Sequence, residues 1–113
     1  MTGNQETKKQ ATAQAVVLDA KVRRLPNKLY HATTQKKAKQ YQKTGYIKSP
    51  VRGFTTMMGA MAWAMKVGRT VILEFEPTNP YKLPDHHNQF GEAWWNDGDI
   101  ANYKCSFSAN GDA

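Results

Sequence analysis

Apolar residues first recur in a regular pattern at Val16, Leu18, Ala20 and Val22, with Asp19, Lys21 and Arg23 between them. A period of two is the signature of a half-buried strand, so an edge strand is predicted here, closed by Pro26-Asn27. A second short strand is predicted over 29–32. The next stretch, 35–43, is polar except for Ala38 and Tyr41. Their three-residue spacing suits a helix with one narrow buried face and Lys36, Lys37, Lys39 and Lys43 outward. Thr33 or Thr34 is available as its N-cap and Gly45 as the residue that stops it. Tyr46-Ile47-Lys48 reads as a short strand ended by Ser49-Pro50, and the segment after it as a loop leading into a helix.

A different pattern begins at Met57. Through Val67 the chain is apolar on almost every side, which predicts a buried helix, capped by Thr55 or Thr56 and stopped by Gly68. Residues 69–76 form the clearest strand, with Val71, Leu73 and Phe75 on one face and Ile72, Glu74 and Glu76 on the other. Residues 77–84, bounded by two prolines, are turn-rich. Residues 85–95 are open between a loop and a short helix, with Phe90, Trp94 and Trp95 as anchors. Asn96-Asp97-Gly98 is a turn signal, and 100–107 closes the fold as a strand with Tyr103, Cys105 and Phe107 on one face. Few, short strands with two helices among them predict an α+β domain rather than a doubly wound parallel sheet. The predicted organisation is a disordered tail over 1–14, one domain over 15–108, and a frayed end over 109–113.

Length and composition agree with this. At 113 residues one domain is the default, and 40% hydrophobic residues with three tryptophans suit a packed core. The single cysteine, Cys105, permits no disulfide within the chain and fits a cytoplasmic setting. No apolar run reaches the roughly 18 residues of a membrane helix, and the first residues lack the apolar core of a secretory signal. Charge changes the picture more. The net +7 divides into +10 for residues 1–52 and −3 for residues 53–113. A basic half favours an anionic partner, whether nucleic acid, a phosphate-bearing substrate or an acidic protein surface, although solvated lysines on a polar helix look the same in sequence.

Two segments hold candidate chemistry. In Tyr30-His31-Ala32-Thr33, His31 and Thr33 share a strand face, so an imidazole and a hydroxyl can meet one polar ligand. A core histidine beside an N-cap is the plainer account of that spacing. In Gly53-Phe54-Thr55-Thr56, the glycine permits close backbone approach and a threonine stands at a helix N-terminus, where anions are favoured and ordinary caps are common. Asp85-His86-His87 makes a poor metal site, because adjacent histidines on a strand point apart. Trp94-Trp95 could stack on a base, but such pairs are more often divided between core and surface. No dinucleotide-binding glycine motif or P-loop occurs.

Leu29-Tyr30-His31-Ala32-Thr33-Thr34, then Gly45-Tyr46-Ile47-Lys48, then Val51-Arg52-Gly53-Phe54-Thr55-Thr56 before an alanine-rich helix and an apolar strand, resembles the ADP-ribosyltransferase superfamily. The likeness is to its small bacterial and phage members, which are related to RNA 2′-phosphotransferases, and it spans about 28–107. It implies a split, mostly antiparallel sheet and an NAD cofactor. His31 would bind the nicotinamide ribose and Thr33 would support it. Phe54 would stack near the nicotinamide, and Thr55 and Thr56 would line the pocket. The catalytic carboxylate expected near the last strands would be Glu92, with Asp97 or Asp99 as alternatives. The implied reaction is NAD-dependent ADP-ribosyl transfer, or related chemistry on an RNA 2′-phosphate. The alternative is a non-catalytic binding module on the same fold, using its basic half to hold nucleic acid or an acidic protein.

Overall fold

The computed structural model describes residues 25–109. The expected N-terminal tail over 1–14, the expected edge strand over 16–22, and residues 110–113 lie outside the described residues. The described chain is a single compact α+β domain of two helices and one six-stranded antiparallel sheet. Its elements are β1 (Leu29–Thr33), α1 (Gln35–Thr44), β2 (Val51–Phe54), α2 (Met57–Val67), β3 (Val71–Phe75), β4 (Pro80–Lys82), a 3₁₀ turn (Asp85–His87), β5 (Ala93–Asn96) and β6 (Tyr103–Ser108). The strand order is β4-β5-β2-β1-β3-β6.

Both helices begin and end where local chemistry requires. The Thr34 side chain accepts from the Lys37 N–H, and Gly45 takes up the left-handed conformation (φ 93°) to end α1. Thr56 does the same for α2 through the Gly59 N–H at 3.0 Å, and Gly68 (φ 76°) ends it. The helices lie on opposite faces of the sheet. Ala38 and Tyr41 of α1 pack with Leu29, Val51, Val71, Leu73, Phe75 and Trp94. Ala60 and Ala64 of α2 pack with Ala32, Phe54, Ile72 and Ala93. The predicted alternation of β3 is therefore observed, with Val71, Leu73 and Phe75 toward α1 and Ile72 toward α2.

Several elements differ from expectation. Ile47 forms an isolated bridge with Ile100 rather than a strand, and the strand lies further on, in the segment expected to be a loop. Tyr46 and Lys48 are exposed, so only Ile47 has a core to reach. α2 is not buried all round. It turns Gly59, Ala60 and Ala64 inward and leaves Met58 83% and Met65 79% exposed. Small residues let the helix approach the sheet closely, and the methionines take the outer side. The turn-rich 77–84 segment contains β4, which starts on Pro80, a position where the missing N–H does no harm to an edge strand. In β6 a register shift opposite Ile72/Leu73 puts Phe107 across from Ile72 and Cys105 across from Leu73. The extra residue turns Phe107 toward α2, while Tyr103 stays on the α1 side.

The sheet is unevenly joined. β1 runs opposite β3 from Leu29–Phe75 to Thr33–Val71, and β2 runs opposite β5 from Val51–Asn96 to Phe54–Ala93. Between β1 and β2 the register is made at Tyr30 opposite Phe54. The six strands form one continuous sheet, and the sparse pairing of β1 with β2 makes a seam within it between β4-β5-β2 and β1-β3-β6.

Candidate functional site

The residues singled out in sequence sort themselves along this seam. On β1, Leu29 belongs to the α1-side core, so strand alternation turns His31 and Thr33 the same way. The ring of His31 lies 6.3 Å from that of Tyr41 on α1. Its Nδ1–H donates to the Arg52 carbonyl at 2.7 Å, closing the seam with a side-chain bond. Because that partner is a carbonyl, Nδ1 holds the proton and Nε2 is an acceptor. Nε2 is buried and has no hydrogen-bond partner among the described residues. Burial, then the charges of Arg69 and Lys37, hold the imidazole well below its ordinary value, at about 4. At neutral pH it is uncharged. Thr33, two residues along, is 1% exposed, and its hydroxyl is also buried without a partner.

Gly53 faces the same side, opposite Trp94 on β5. A Cβ there would come within 2.9 Å of the Leu29 Cβ and 3.2 Å of the Tyr30 carbonyl oxygen, so close approach across the seam requires glycine. Thr55 and Glu92 extend the β2–β5 ladder by one step, through the Thr55 N–H to the Glu92 carbonyl at 3.1 Å. Strand alternation carried one residue past Phe54 and Ala93 would turn both toward the α1 side. Strand spacings put the Glu92 and His31 backbones roughly 10–12 Å apart on the diagonal, a gap that two side chains and a sugar ring can span.

The other candidates stand elsewhere. Phe54 is 2% exposed, turned into the α2-side core with its ring 6.4 Å from Trp63, and offers no free face to a nicotinamide. The Thr56 hydroxyl is occupied as the α2 cap. Asp97 and Asp99 lie beyond the opposite end of the β2–β5 ladder, where the Asp99 carboxylate accepts from the Ser49 N–H at 2.8 Å. His31 and Thr33 stand on one face of β1, and Thr55 and Glu92 adjoin each other just beyond Phe54 and Ala93, whereas Phe54 is turned to the opposite face and Asp97 and Asp99 lie past the other end of the β2–β5 ladder. Two grooves, of about 490 and 400 Å³, lie instead near Tyr103 and Lys104, and none of His31, Thr33, Thr55 and Glu92 lines them.

Two features of this region went unseen in sequence. Arg52 closes the seam through its carbonyl while its side chain goes to the α2 face, where the guanidinium sits 4.9 Å from the centre of the Trp63 ring. Asn96, read as part of a turn, is fully buried. Its Oδ1 accepts from the Thr78 and Asn79 N–H groups at 2.8 and 2.7 Å, and its Nδ2 donates to the Thr78 hydroxyl and the Gly98 carbonyl. A buried asparagine and an exposed turn asparagine have the same sequence signal, Asn-Asp-Gly.

Among the described residues no group of three metal-ligating side chains comes together. His86 and His87 stack on each other at 4.2 Å in the 3₁₀ turn. No described helix is long and apolar enough to cross a membrane. The class this architecture defines is an α+β domain with a seamed antiparallel sheet. No family model, curated protein or solved structure matches the chain.

Proposed function

We propose that the chain handles NAD at the β1–β2 seam and transfers its ADP-ribosyl group to an acceptor. The observation that supports this is the orphaned Nε2 of His31, a neutral, buried acceptor on the sheet face toward which strand alternation would turn Thr55 and Glu92. An unsatisfied buried acceptor costs stability, on the order of 1–3 kcal/mol, and a sugar hydroxyl donating to it relieves that cost. The residues present therefore fit the ribose of NAD, as the resemblance to ADP-ribosyltransferases implies.

NAD supplies a glycosidic bond whose cleavage leaves positive charge on the ribose. His31 binds and orients the sugar through Nε2, with its tautomer fixed by the Arg52 carbonyl. Thr33 offers a second hydroxyl beside it. Glu92 supplies negative charge where positive charge develops, which lowers the barrier most in a site closed to water. Thr55 stands between them at the entrance to α2. Phe54 supports the site from behind, as core.

The test is nicotinamide release from NAD by the purified chain. Glu92→Gln is expected to reduce the rate by 100-fold or so, as loss of one electrostatic contact to a transition state does, while NAD still binds. A rate unchanged in Glu92→Gln would remove that residue from the chemistry. The alternative, a non-catalytic basic module, is favoured by the outward lysines of α1, where Lys36, Lys39 and Lys43 line a shallow groove of about 240 Å³. It requires binding of a polyanion with no response to NAD.

A further inference from the structure

The side chains of Arg52, Trp95 and Tyr81 face away from His31, on the other side of the sheet. They stand opposite one another on β2, β5 and β4, Arg52 against Trp95 and Trp95 against Tyr81. Cross-strand partners share a face, and the contact of Arg52 with Trp63 fixes that face as the one covered by α2. α2 leaves β2 to reach β3 and packs on β1, β3 and β2, so the β5–β4 end stays open. Trp95 is 41% exposed and Tyr81 54% exposed. Trp94, the neighbour of Trp95, is buried on the other face, so the pair is divided between core and surface.

Arg52 ends this row on the inner side. Its guanidinium lies over Trp63, and its Nη2 is 3.4 Å from the Nδ1 of His87. Its Nε is buried and has no hydrogen-bond partner, and among the described residues no carboxylate forms an ion pair with it. Asp85, two residues from His87, is instead held 3.7 Å from Lys82. The result is a strip roughly 10 Å across, two exposed aromatic rings and one uncompensated cation, on a chain of net charge +7.

We propose that this strip binds single-stranded nucleic acid, with successive bases stacked on Trp95 and Tyr81 and a phosphate or base edge at Arg52. Flat rings in cross-strand register accept any base on its face, and the positive charge accepts the backbone. β4 is the edge strand of the sheet, so among the described residues no further strand lies beyond Tyr81. A duplex cannot use the site, because its bases are already stacked on each other. The strip lies on the opposite face of the sheet from His31 and does not depend on the function proposed above.

The test uses the full chain and labelled oligouridylate, oligothymidylate and a duplex of the same length, about ten nucleotides, with fluorescence anisotropy across a salt series. Single strands are expected to bind with an affinity that falls as salt rises, and at least tenfold more tightly than the duplex. Trp95→Ala and Tyr81→Ala are each expected to weaken binding by about tenfold or more, and Trp95→Phe to recover most of the loss. Thermal melts of each variant are expected to match the parent within a few degrees, because both positions are exposed. Preference for either sugar is compatible with a stacking site. Equal binding of duplex and single strand, unchanged affinity in both alanine variants, or no binding at low salt would each overturn the proposal. The first two would assign any affinity to the lysines of α1.

Discussion

His31 is tied to the Arg52 carbonyl through Nδ1, and its remaining nitrogen is buried, so protonating it costs the folded state more than the unfolded chain. Its folded value of about 4 lies below the 6.5 of an ordinary histidine. As pH falls from 6.5 toward 4, the unfolded chain takes up the proton first, so the stability contributed by neutral His31 is complete above that window and lost within it. Urea unfolding at a series of pH values is expected to show a decline of up to about 3 kcal/mol across this range, and His31→Gln to flatten it. Glu74 acts in a lower window. The Ser106 hydroxyl at 2.7 Å and Lys28 at 2.9 Å hold its carboxylate below the usual range, so its contribution disappears as pH falls through that depressed value. Asn96→Ala would strand the Thr78 and Asn79 N–H groups in a buried site, and a loss of about 2–4 kcal/mol is expected by urea denaturation. Sequence could place Asn96 at a turn but could not show its burial, because that depends on β4 returning alongside β5.

The helices were legible because their signals are local: a threonine cap, a glycine stop and spaced apolar residues. β2, β4 and β5 were not, since each is short and defined by its neighbours rather than by its own alternation. The β6 register shift was hidden for the same reason, because a bulge is a property of a pair. The burial of α2 was over-read, as its apolar composition conceals that the alanines and glycine face inward. Gly59 marks where this matters. A Cβ there would come within 2.5 Å of the Phe90 carbonyl oxygen, so Gly59→Ala must push α2 away from the 88–91 loop. A loss of about 1–3 kcal/mol in unfolding free energy is expected, despite the better helix propensity of alanine. Met65→Lys, on the exposed side of the same helix, is expected to stay within about 0.5 kcal/mol of the parent.

For the molecule as a whole, the seam is the organising feature. It lies between β4-β5-β2 and β1-β3-β6 and is bridged by the bond from His31 to the Arg52 carbonyl. Of the proposed site, the strand positions of His31 and Thr33 and the cap at Thr56 were legible, because those signals are local to short motifs. Glu92 could be named only with Asp97 and Asp99 beside it, since which of the three reaches Thr55 depends on the β2–β5 register. Phe54 was assigned to the pocket because the motif fixes its position in the chain but not the face it takes. The most direct measurement is the amide spectrum of the isotope-labelled chain titrated with NAD. The account predicts saturable shifts centred on His31, Gly53, Thr55 and Glu92, with Asp97 and Asp99 unmoved. Unchanged resonances at those four positions with millimolar NAD, in a chain whose spectrum shows it folded, would contradict it.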